Sequence, residues 1–393
     1  MSDTKQDVLI TGLGLLSSLG EGPEAHWSAF RAGKTQNIDE DTFAPYPVHA
    51  LMEPDWAQQI SRRDMRQMEP WQQIGTYAAG LALDDAGVKG NEELCGLMDM
   101  IVAAGGGERD VEVDSSIMAE GRNTNDRDTL LAERLSNDLR PTLFLAQLSN
   151  LLAGNISIVH KVTGSSRTFM GEEGAGISAI ETAHARIASG QSDIVLVGGA
   201  YNAQREDMQL LFALGGFLHE GAHAAVSERK GSGMILGSVG TFLVLESRAH
   251  AEARGARAYA KLAAVSAMHG PRGEGMAEKR ISQGLDEISK SDVSVIMSGS
   301  TGCKNIHEEE QAALAAKMPQ TAVRAYGTLL GHSVECQFPT GVALAALSAF
   351  KNEVFSPLEA SEQPSQNGCT AAVVTTAGHW RGEGVALVTA ADA

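Results

Sequence analysis

The sequence TFMGEEGAGISAIETAHARIASGQSDIVLVGGA, residues 168–200, contains a strand, a turn, a helix and a second strand in succession. Helical spacing follows the turn and stops at Gly190, and the apolar run that ends at Ala200 is typical of a buried strand. Many enzymes place a nucleophile at a strand-to-helix turn of this kind. Two carboxylates, Glu172 and Glu173, stand there instead.

The alternation of apolar strands and amphipathic helices continues along most of the 393 residues. Continuous apolar strands that alternate with helices favour α/β layers with buried sheets. The pattern repeats in the second part of the chain, which predicts two similar halves, residues 1–255 and 256–393, packed as one compact unit. Within the first half, residues 140–160 (RPTLFLAQLSNLLAGNISIVH) predict a helix followed by a strand.

Composition excludes several classes of function. The formal net charge of −18 argues against nucleic acid as a partner, because that binding depends on lysine and arginine that neutralise phosphates. No apolar run approaches the ~20 residues needed to span a bilayer, and the N-terminus lacks the layout of a signal peptide. We therefore expect a protein of the reducing cytoplasm without a membrane span.

The four cysteines, Cys95, Cys303, Cys336 and Cys369, have neither CxxC spacing nor histidines at metal-ligand intervals. A zinc site needs three or four such ligands at short spacings. We expect no metal site, and we interpret Cys303 and Cys336 as small core or loop residues, because neither begins a helix as Glu173 does.

Several segments, taken in order, resemble the β-ketoacyl-acyl-carrier-protein synthases. They are VLITGLGLLSSLGEGPEAHWSAFRAGK, ISRRDMRQMEPWQQIGTYAAGLALDDAG, SGQSDIVLVGGA, RKGSGMILGSVGTFLVLESRAHAEARGARAYA and GTLLGHS. The resemblance covers essentially the whole chain. It implies a thiolase-like fold of two duplicated βαβαβαβαβ halves in five α-β-α-β-α layers, a dimeric state and no cofactor.

The chemistry of this family implies a nucleophilic cysteine at a helix N-terminus, two histidines and an oxyanion hole. By the resemblance, Glu173 takes the position of the cysteine, and Ser298 that of the first histidine. The second histidine is retained as His332. Gly327 stands where the family has a lysine, and Trp380, between His379 and Arg381, stands where it has a gating phenylalanine.

Two interpretations of the altered site remain open. In the first, Glu173 fills and caps an inactive pocket, stabilised by the helix N-terminus. In the second, Glu173 mimics an acyl carboxylate or acts as a base in decarboxylation. His332 is equally compatible with a retained structural role and with polarisation of a thioester carbonyl.

Arg62, Arg63 and Arg66 form a basic cluster, with Arg62 and Arg66 four residues apart and therefore on one helical face. In the family this region binds the acidic acyl carrier protein. The alternative is an ordinary solvated helix face, and the neighbouring acids Asp64 and Glu69 weaken the cluster.

The resemblance implies a protein of fatty acid or polyketide-type chain elongation. Our main hypothesis is a cysteine-less, chain-length-factor-like subunit that pairs with an active ketosynthase paralogue. A stand-alone malonyl-carrier decarboxylase or divergent 3-oxoacyl synthase is the first alternative, and a non-enzymatic homodimer that binds the carrier protein is the second. The sequence does not specify the acyl chain length or the product.

Overall fold

The computed structural model describes residues 6–108, 110–138, 145, 147–229, 233–288, 293–365 and 368–392. The strands in these residues are β1 (Val8–Ser17), β2 (Gly20–Glu21), β3 (Ile38–Asp39), β4 (Val48–His49), β5 (Asp99–Ala103), β6 (Ser166–Phe169), β7 (Ile194–Tyr201), β8 (Leu236–Gly237), β9 (Val239–Ser247), β10 (Ala260–Met268), β11 (Val295–Ser298), β12 (Ala322–Ala325), β13 (Ala371–Ala377) and β14 (Glu383–Thr389). The helices are α1 (Gly22–Ala32), α2 (Arg62–Met65), α3 (Pro70–Asp85), α4 (Glu92–Leu97), α5 (Val111–Gly121), α6 (Arg127–Asn137), α7 (Leu151–His160), α8 (Glu172–Ala188), α9 (Glu206–Leu214), α10 (Arg248–Ala253), α11 (Met276–Glu287), α12 (Lys304–Lys317), α13 (Gly327–Leu330) and α14 (Gln337–Lys351). Among these described helices, none combines the length and the apolar character needed to cross a membrane.

Ten of the strands in the described residues form two five-stranded units with the same pairing pattern, while β3, β4 and β8 form a small separate sheet and β2 pairs with β1. The first has the order β6-β5-β7-β9-β1, and the second has the order β12-β11-β13-β14-β10. In each unit the first two pairings are parallel and the last two are antiparallel. The units meet where β1 pairs with β10, with Leu9 opposite Lys261. The repeated order and polarity show that the fold is duplicated.

Helices complete five layers around the two units. α8 and α14 pack against each other and against strands of both units, so they form the middle layer. α3 and α7 cover the outer face of the first unit, and α11 and α12 cover that of the second. Separate apolar cores lie in the middle layer and beneath each outer layer. α14 is buried along almost its whole length, as its apolar sequence requires.

The predicted thiolase-like α/β fold is therefore confirmed, with one local error. Residues 156–160 were expected to form a strand, but they belong to α7. β-Branched residues favour strands, but packing against α3 on the outer face of the first unit overrides that preference. The start of the predicted helix, residues 140–144, lies outside the described residues. The division of the chain at residue 255 stays a prediction.

Gly14 in β1 provides a test of the packing between the first sheet unit and α3. A methyl group at this position would lie 1.9 Å from the carbonyl oxygen of Ala78. We expect Gly14→Ala to lower the free energy of unfolding by about 2–3 kcal/mol, because neither the strand nor the helix backbone can move freely. Gly121→Ala is the control, since a methyl group there meets no atom within 4 Å. It should change stability by less than about 1 kcal/mol, and equal urea midpoints for the two variants would contradict the close packing.

Candidate functional site

The turn between β6 and α8 places Glu173 inside the protein. Gly171 has a φ of 133° and Glu172 a φ of 50°, so the chain turns sharply just before the helix. A positive φ is accessible to glycine at little cost and is uncommon for glutamate. Glu173 is the second residue of α8 and is fully buried. The helix N-terminus provides a favourable environment for its negative charge.

Three hydrogen-bond donors converge on one carboxylate oxygen of Glu173. The Nε2 atom of His332 lies 2.7 Å from Oε1. The Nδ1 atom of His379 lies 2.8 Å from the same oxygen, and the backbone N–H of His379 donates to it at 3.1 Å. Nδ1 of His379 also lies 3.1 Å from Oε2. We refer to Glu173, His332 and His379 as the Glu173 cluster.

Both histidines of the cluster come from the second sheet unit and its connections. His332 follows α13, and its backbone N–H donates to Ile235 at 2.7 Å, which fixes it beside β8. His379 lies in the loop between β13 and β14. Its ring meets those of Phe212 and Phe217 edge-on, with centroids 5.1 and 5.0 Å apart. The cluster therefore joins the two halves of the fold at one buried carboxylate.

The charges of the cluster follow from its geometry. Burial alone would raise the pKa of Glu173, but the charge of His379 and the hydrogen bonds from both histidines hold that pKa well below its usual value. Burial opposes a charge on His379 as well, but the Glu173 carboxylate outweighs it and raises the pKa of His379. Burial lowers the pKa of His332 in spite of its bond to Glu173. These shifts favour a carboxylate on Glu173, a protonated His379 and a neutral His332.

A carboxylate and two histidines are also a donor set for zinc or iron, and the three ligand atoms lie within 4.8 Å of one another. Two ligands on a tetrahedral zinc ion lie ~3.3 Å apart, given Zn–N distances of about 2.0–2.1 Å. The distances of 2.7 and 2.8 Å are instead those of charge-assisted hydrogen bonds. A metal-bound histidine normally donates through its second nitrogen, but Nδ1 of His332 has no partner in the described part of the chain. The geometry favours an ion pair over a metal centre.

Ser298, predicted to replace the first histidine, lies buried at the end of β11 and bonds elsewhere. Its hydroxyl donates to Oε1 of Glu310 at 2.9 Å, and Thr375 donates to the same oxygen at 2.6 Å. The N–H of Ser300 also donates to the Ser298 hydroxyl, at 3.3 Å. The structure thus brings His332 to Glu173, whereas Ser298 belongs to a second polar cluster centred on Glu310.

A cavity of about 710 Å³ opens beside the Glu173 cluster. Its wall includes Phe217, Arg272, Cys303, His379 and Trp380. Trp380, predicted as a gate residue, is 60% exposed, with its ring 6.2 Å from that of Phe217. Because His379 lines the cavity and also binds Glu173, it separates the cavity from the carboxylate.

Contrary to the expectation from the sequence, Cys303 and Cys336 each lie directly before a helix, α12 and α14. Neither thiol is nevertheless prepared for nucleophilic attack. Burial raises the pKa of Cys303 to about 11, although this thiol lines the cavity. Burial also raises the pKa of Cys336, which is fully buried. A thiol is a nucleophile only as its thiolate, so neither cysteine is suited to act as a nucleophile beside Glu173.

The predicted basic cluster is exposed. Arg62 and Arg63 begin the four-residue helix α2, Arg66 follows it, and Ser61 caps it by accepting from the N–H of Asp64. Arg66 borders a groove of about 810 Å³ that also contains Glu112. Carrier-protein docking at these arginines stays a prediction.

His379 is the member of the cluster that the sequence did not identify. The segment AGHWRGEG, residues 377–384, showed a polar loop between two apolar strands. No local pattern links a histidine in that loop to a glutamate 206 positions earlier. Only indirect reasoning could have suggested His379. A buried glutamate needs a cationic partner, and the resemblance implies that the loop around Trp380 lies near the turn that contains Glu173.

Residues 5–251 match the family model of the β-ketoacyl synthase N-terminal domain. Over 277 residues the chain is 27% identical to a 3-oxoacyl-acyl-carrier-protein synthase 2 of Vibrio cholerae, covering 66% of this chain and 62% of that protein. The chain thus spans about 62% of the length of the first curated relatives that it matches. It is 28% identical over 324 residues to the tetracenomycin polyketide synthase ketoacyl synthase beta subunit of Streptomyces glaucescens, covering 78% of this chain and 76% of that one.

Among solved structures, the ishigamide ketosynthase/chain length factor matches this chain with a TM-score of 0.79. The sequence identity is 20%, and the match covers 98% of this chain and 99% of that chain. At this identity the likeness shows the fold, and it agrees with the duplicated five-layer arrangement.

The ion pair between Glu173 and His379 should give the protein a pH-dependent stability. Folding lowers the pKa of Glu173. The contribution of this carboxylate to the free energy of unfolding is therefore fully present above pH ~4.3 and is lost as the pH falls through the folded pKa. Folding raises the pKa of His379. The contribution of this imidazolium to the free energy of unfolding is therefore fully present below pH ~6.5 and is lost as the pH rises through the folded pKa. We expect Glu173→Gln to lower the free energy of unfolding by about 3 kcal/mol between these limits, and by less outside them.

Urea denaturation at a series of pH values measures this effect. Glu172→Gln is the matched control, because its partner Arg381 is 58% exposed and such a pair contributes about 0–1 kcal/mol. Parallel stability curves for the wild type and Glu173→Gln across the series would contradict the buried ion pair.

Proposed function

The chain belongs to the β-ketoacyl synthase family, and we propose that it is the nucleophile-less, chain-length-factor-like partner of a competent ketosynthase. One observation carries this proposal. At the turn where the family places its cysteine, this chain has a carboxylate that is buried, ion-paired and bound by three donors.

This carboxylate is poorly suited to covalent catalysis. A nucleophile needs an available lone pair and a pKa matched to its task, but one Glu173 oxygen accepts three hydrogen bonds and the pKa is held low. An acyl group on Glu173 would form an anhydride instead of an exchangeable thioester. His332 is bound to Glu173, and Ser298 is bound to Glu310. The side chains at the three positions that the family uses for condensation are therefore already occupied by hydrogen bonds within the protein.

A helical hairpin supports the pairing part of the proposal. α5 and α6 contact each other, and Arg134 forms an ion pair with Glu120 across them. Among the described residues, neither helix contains a buried side chain. Met118 is 67% exposed and Leu131 and Leu135 are each 43% exposed. Exposed apolar side chains gathered on one element mark an interaction surface.

The end of the first sheet unit supplies a second apolar feature. Within the described residues β6 pairs on one side only, with β5. Met170, directly after this strand, is 66% exposed, and Ile158 of the neighbouring helix α7 is 62% exposed. Unpaired edge strands readily accept a further strand. A ketosynthase paralogue, with an equivalent strand and helices, fits this edge and the α5–α6 hairpin together.

We further propose that the pair acts in fatty acid or polyketide-type elongation with an acyl carrier protein as its substrate carrier. The exposed arginines Arg62, Arg63 and Arg66 would attract that acidic partner against the net charge of −18. All four cysteines are free, which agrees with a reducing cytoplasm.

Co-expression with ketosynthase paralogues from the same source tests the pairing. Native mass spectrometry should show a one-to-one heterodimer, and condensation of acyl- and malonyl-carrier substrates should require both subunits. Condensation by this chain alone would refute the proposal. So would carbon dioxide release from malonyl-carrier by the chain alone that His332→Ala abolishes, because that result supports a stand-alone decarboxylase.

Substitutions on the hairpin test where the partner binds. We expect the double variant Leu131→Asp and Leu135→Asp to weaken the heterodimer at least ~10-fold, because two charges would be buried in an apolar contact. Leu97→Asp is the control, since Leu97 is 72% exposed at the end of α4. Equal dissociation constants for both variants in analytical ultracentrifugation would place the interface elsewhere.

A further inference from the structure

The loop of residues 378–382, which we call the gate loop, is attached to the N-terminus of α8 at two successive positions. Inside the protein, Glu173 binds the side chain and the backbone N–H of His379. At the surface, Glu172 accepts a hydrogen bond from Nε of Arg381 at 3.0 Å. Trp380 lies between these two contacts. The paired glutamates of the turn thus meet a histidine and an arginine on opposite sides of an exposed tryptophan.

The gate loop is also closed on itself by a backbone hydrogen bond, and its two ends lie close to the start of α8. The N–H of Gly378 donates to the carbonyl of Gly382 at 2.8 Å, and Arg272 donates to the carbonyl of Gly378 at 3.0 Å. A methyl group at Gly382 would lie 2.8 Å from Cα of Gly174, and one at Gly378 would lie 2.9 Å from Oε2 of Glu173. The loop therefore leaves no room for a side chain between its ends and the start of α8.

The position of the gate loop determines which residues a molecule in the cavity can contact. One side of His379 lines the cavity of about 710 Å³, and the other side binds Glu173. His332 lies behind Glu173 and is 1% exposed. A molecule that enters the cavity meets the imidazole of His379 and the side chain of Trp380 before it reaches the retained histidine.

We infer that the gate loop is latched shut by Glu172 and Glu173, and that this latch keeps acyl chains in the cavity from reaching His332. The acyl part of this inference rests on the proposed function. In that role the substitution at position 173 does more than remove a nucleophile. It closes this subunit's own route to the interior, so that a growing chain is directed to the partner's site.

The two contacts contribute unequally to the latch. The surface pair of Glu172 and Arg381 is solvent-exposed and screened, so it adds little. The buried contacts of Glu173 include a backbone hydrogen bond of the loop itself, and their loss leaves an unpaired group inside the protein. Glu173 is the main element of the latch, and Glu172 is a minor one.

Hydrogen exchange of the isolated full-length chain tests the latch without any partner. We expect Glu173→Ala to accelerate exchange in peptides covering the gate loop at least ~10-fold, and Glu172→Ala by no more than ~3-fold. Glu246→Ala is the matched control. Glu246 is a fully buried glutamate that also binds a histidine and an arginine, His250 and Arg254, but at the end of β9.

Modification of histidines by diethyl pyrocarbonate gives a second readout. His332 should stay unmodified in the wild type and become modified in Glu173→Ala, whereas His160, buried in α7, should stay unmodified in both. His379→Gln replaces Glu173→Ala if that variant does not fold. Two results would contradict the proposed latch. One is unchanged hydrogen exchange of the gate loop in a folded Glu173→Ala or His379→Gln variant, and the other is an equal acceleration of that exchange by Glu246→Ala. Neither result bears on heterodimer formation, which is measured separately.

Discussion

Burial of the N-terminus of α8 between the two sheet units is the constraint on which the site depends. Glu173 itself has no access to water, so the charge at this second residue of α8 must find its partners in the protein. Those partners, His332 and His379, both come from the second half of the chain. The charge of Glu173 thus makes the two halves depend on each other, in addition to their apolar contacts and the pairing of β1 with β10.

Most of the fold followed from the sequence because long apolar strands and amphipathic helices carry their own periodicity. The error at residues 156–160 shows the limit of that approach, since a short β-branched run is compatible with a strand and with a buried helix. The family resemblance pointed to Glu173, Ser298 and His332, and the structure brings His332 to Glu173 but places Ser298 beside Glu310. Neither the resemblance nor the periodicity could find His379, because its pairing with Glu173 is a tertiary contact between distant segments.

The two positions at which the resemblance implies a substitution share one property. Glu173 is neutralised by His379, and Ser298 shares Glu310 with Thr375. Each replacement is polar, buried and hydrogen-bonded, so it stabilises the packing instead of leaving a vacant pocket. This distinguishes a site that has taken on a structural role from one that has merely lost a residue. The duplicated fold provides the rigid frame on which such an exchange is tolerated.

The three donors on Glu173 also determine the cost of reversing the substitutions that the resemblance implies. A return from Glu173 to cysteine would leave the buried imidazole of His379 without its counter-ion and the backbone N–H of the gate loop without an acceptor. A return from Ser298 to histidine would have to fit an imidazole beside Glu310 and Thr375. Each change on its own lowers stability. Under the proposed function, a chain that carries this cluster therefore cannot gain a thiol at position 173 in one step without losing stability, and it stays dependent on another subunit for the chemistry.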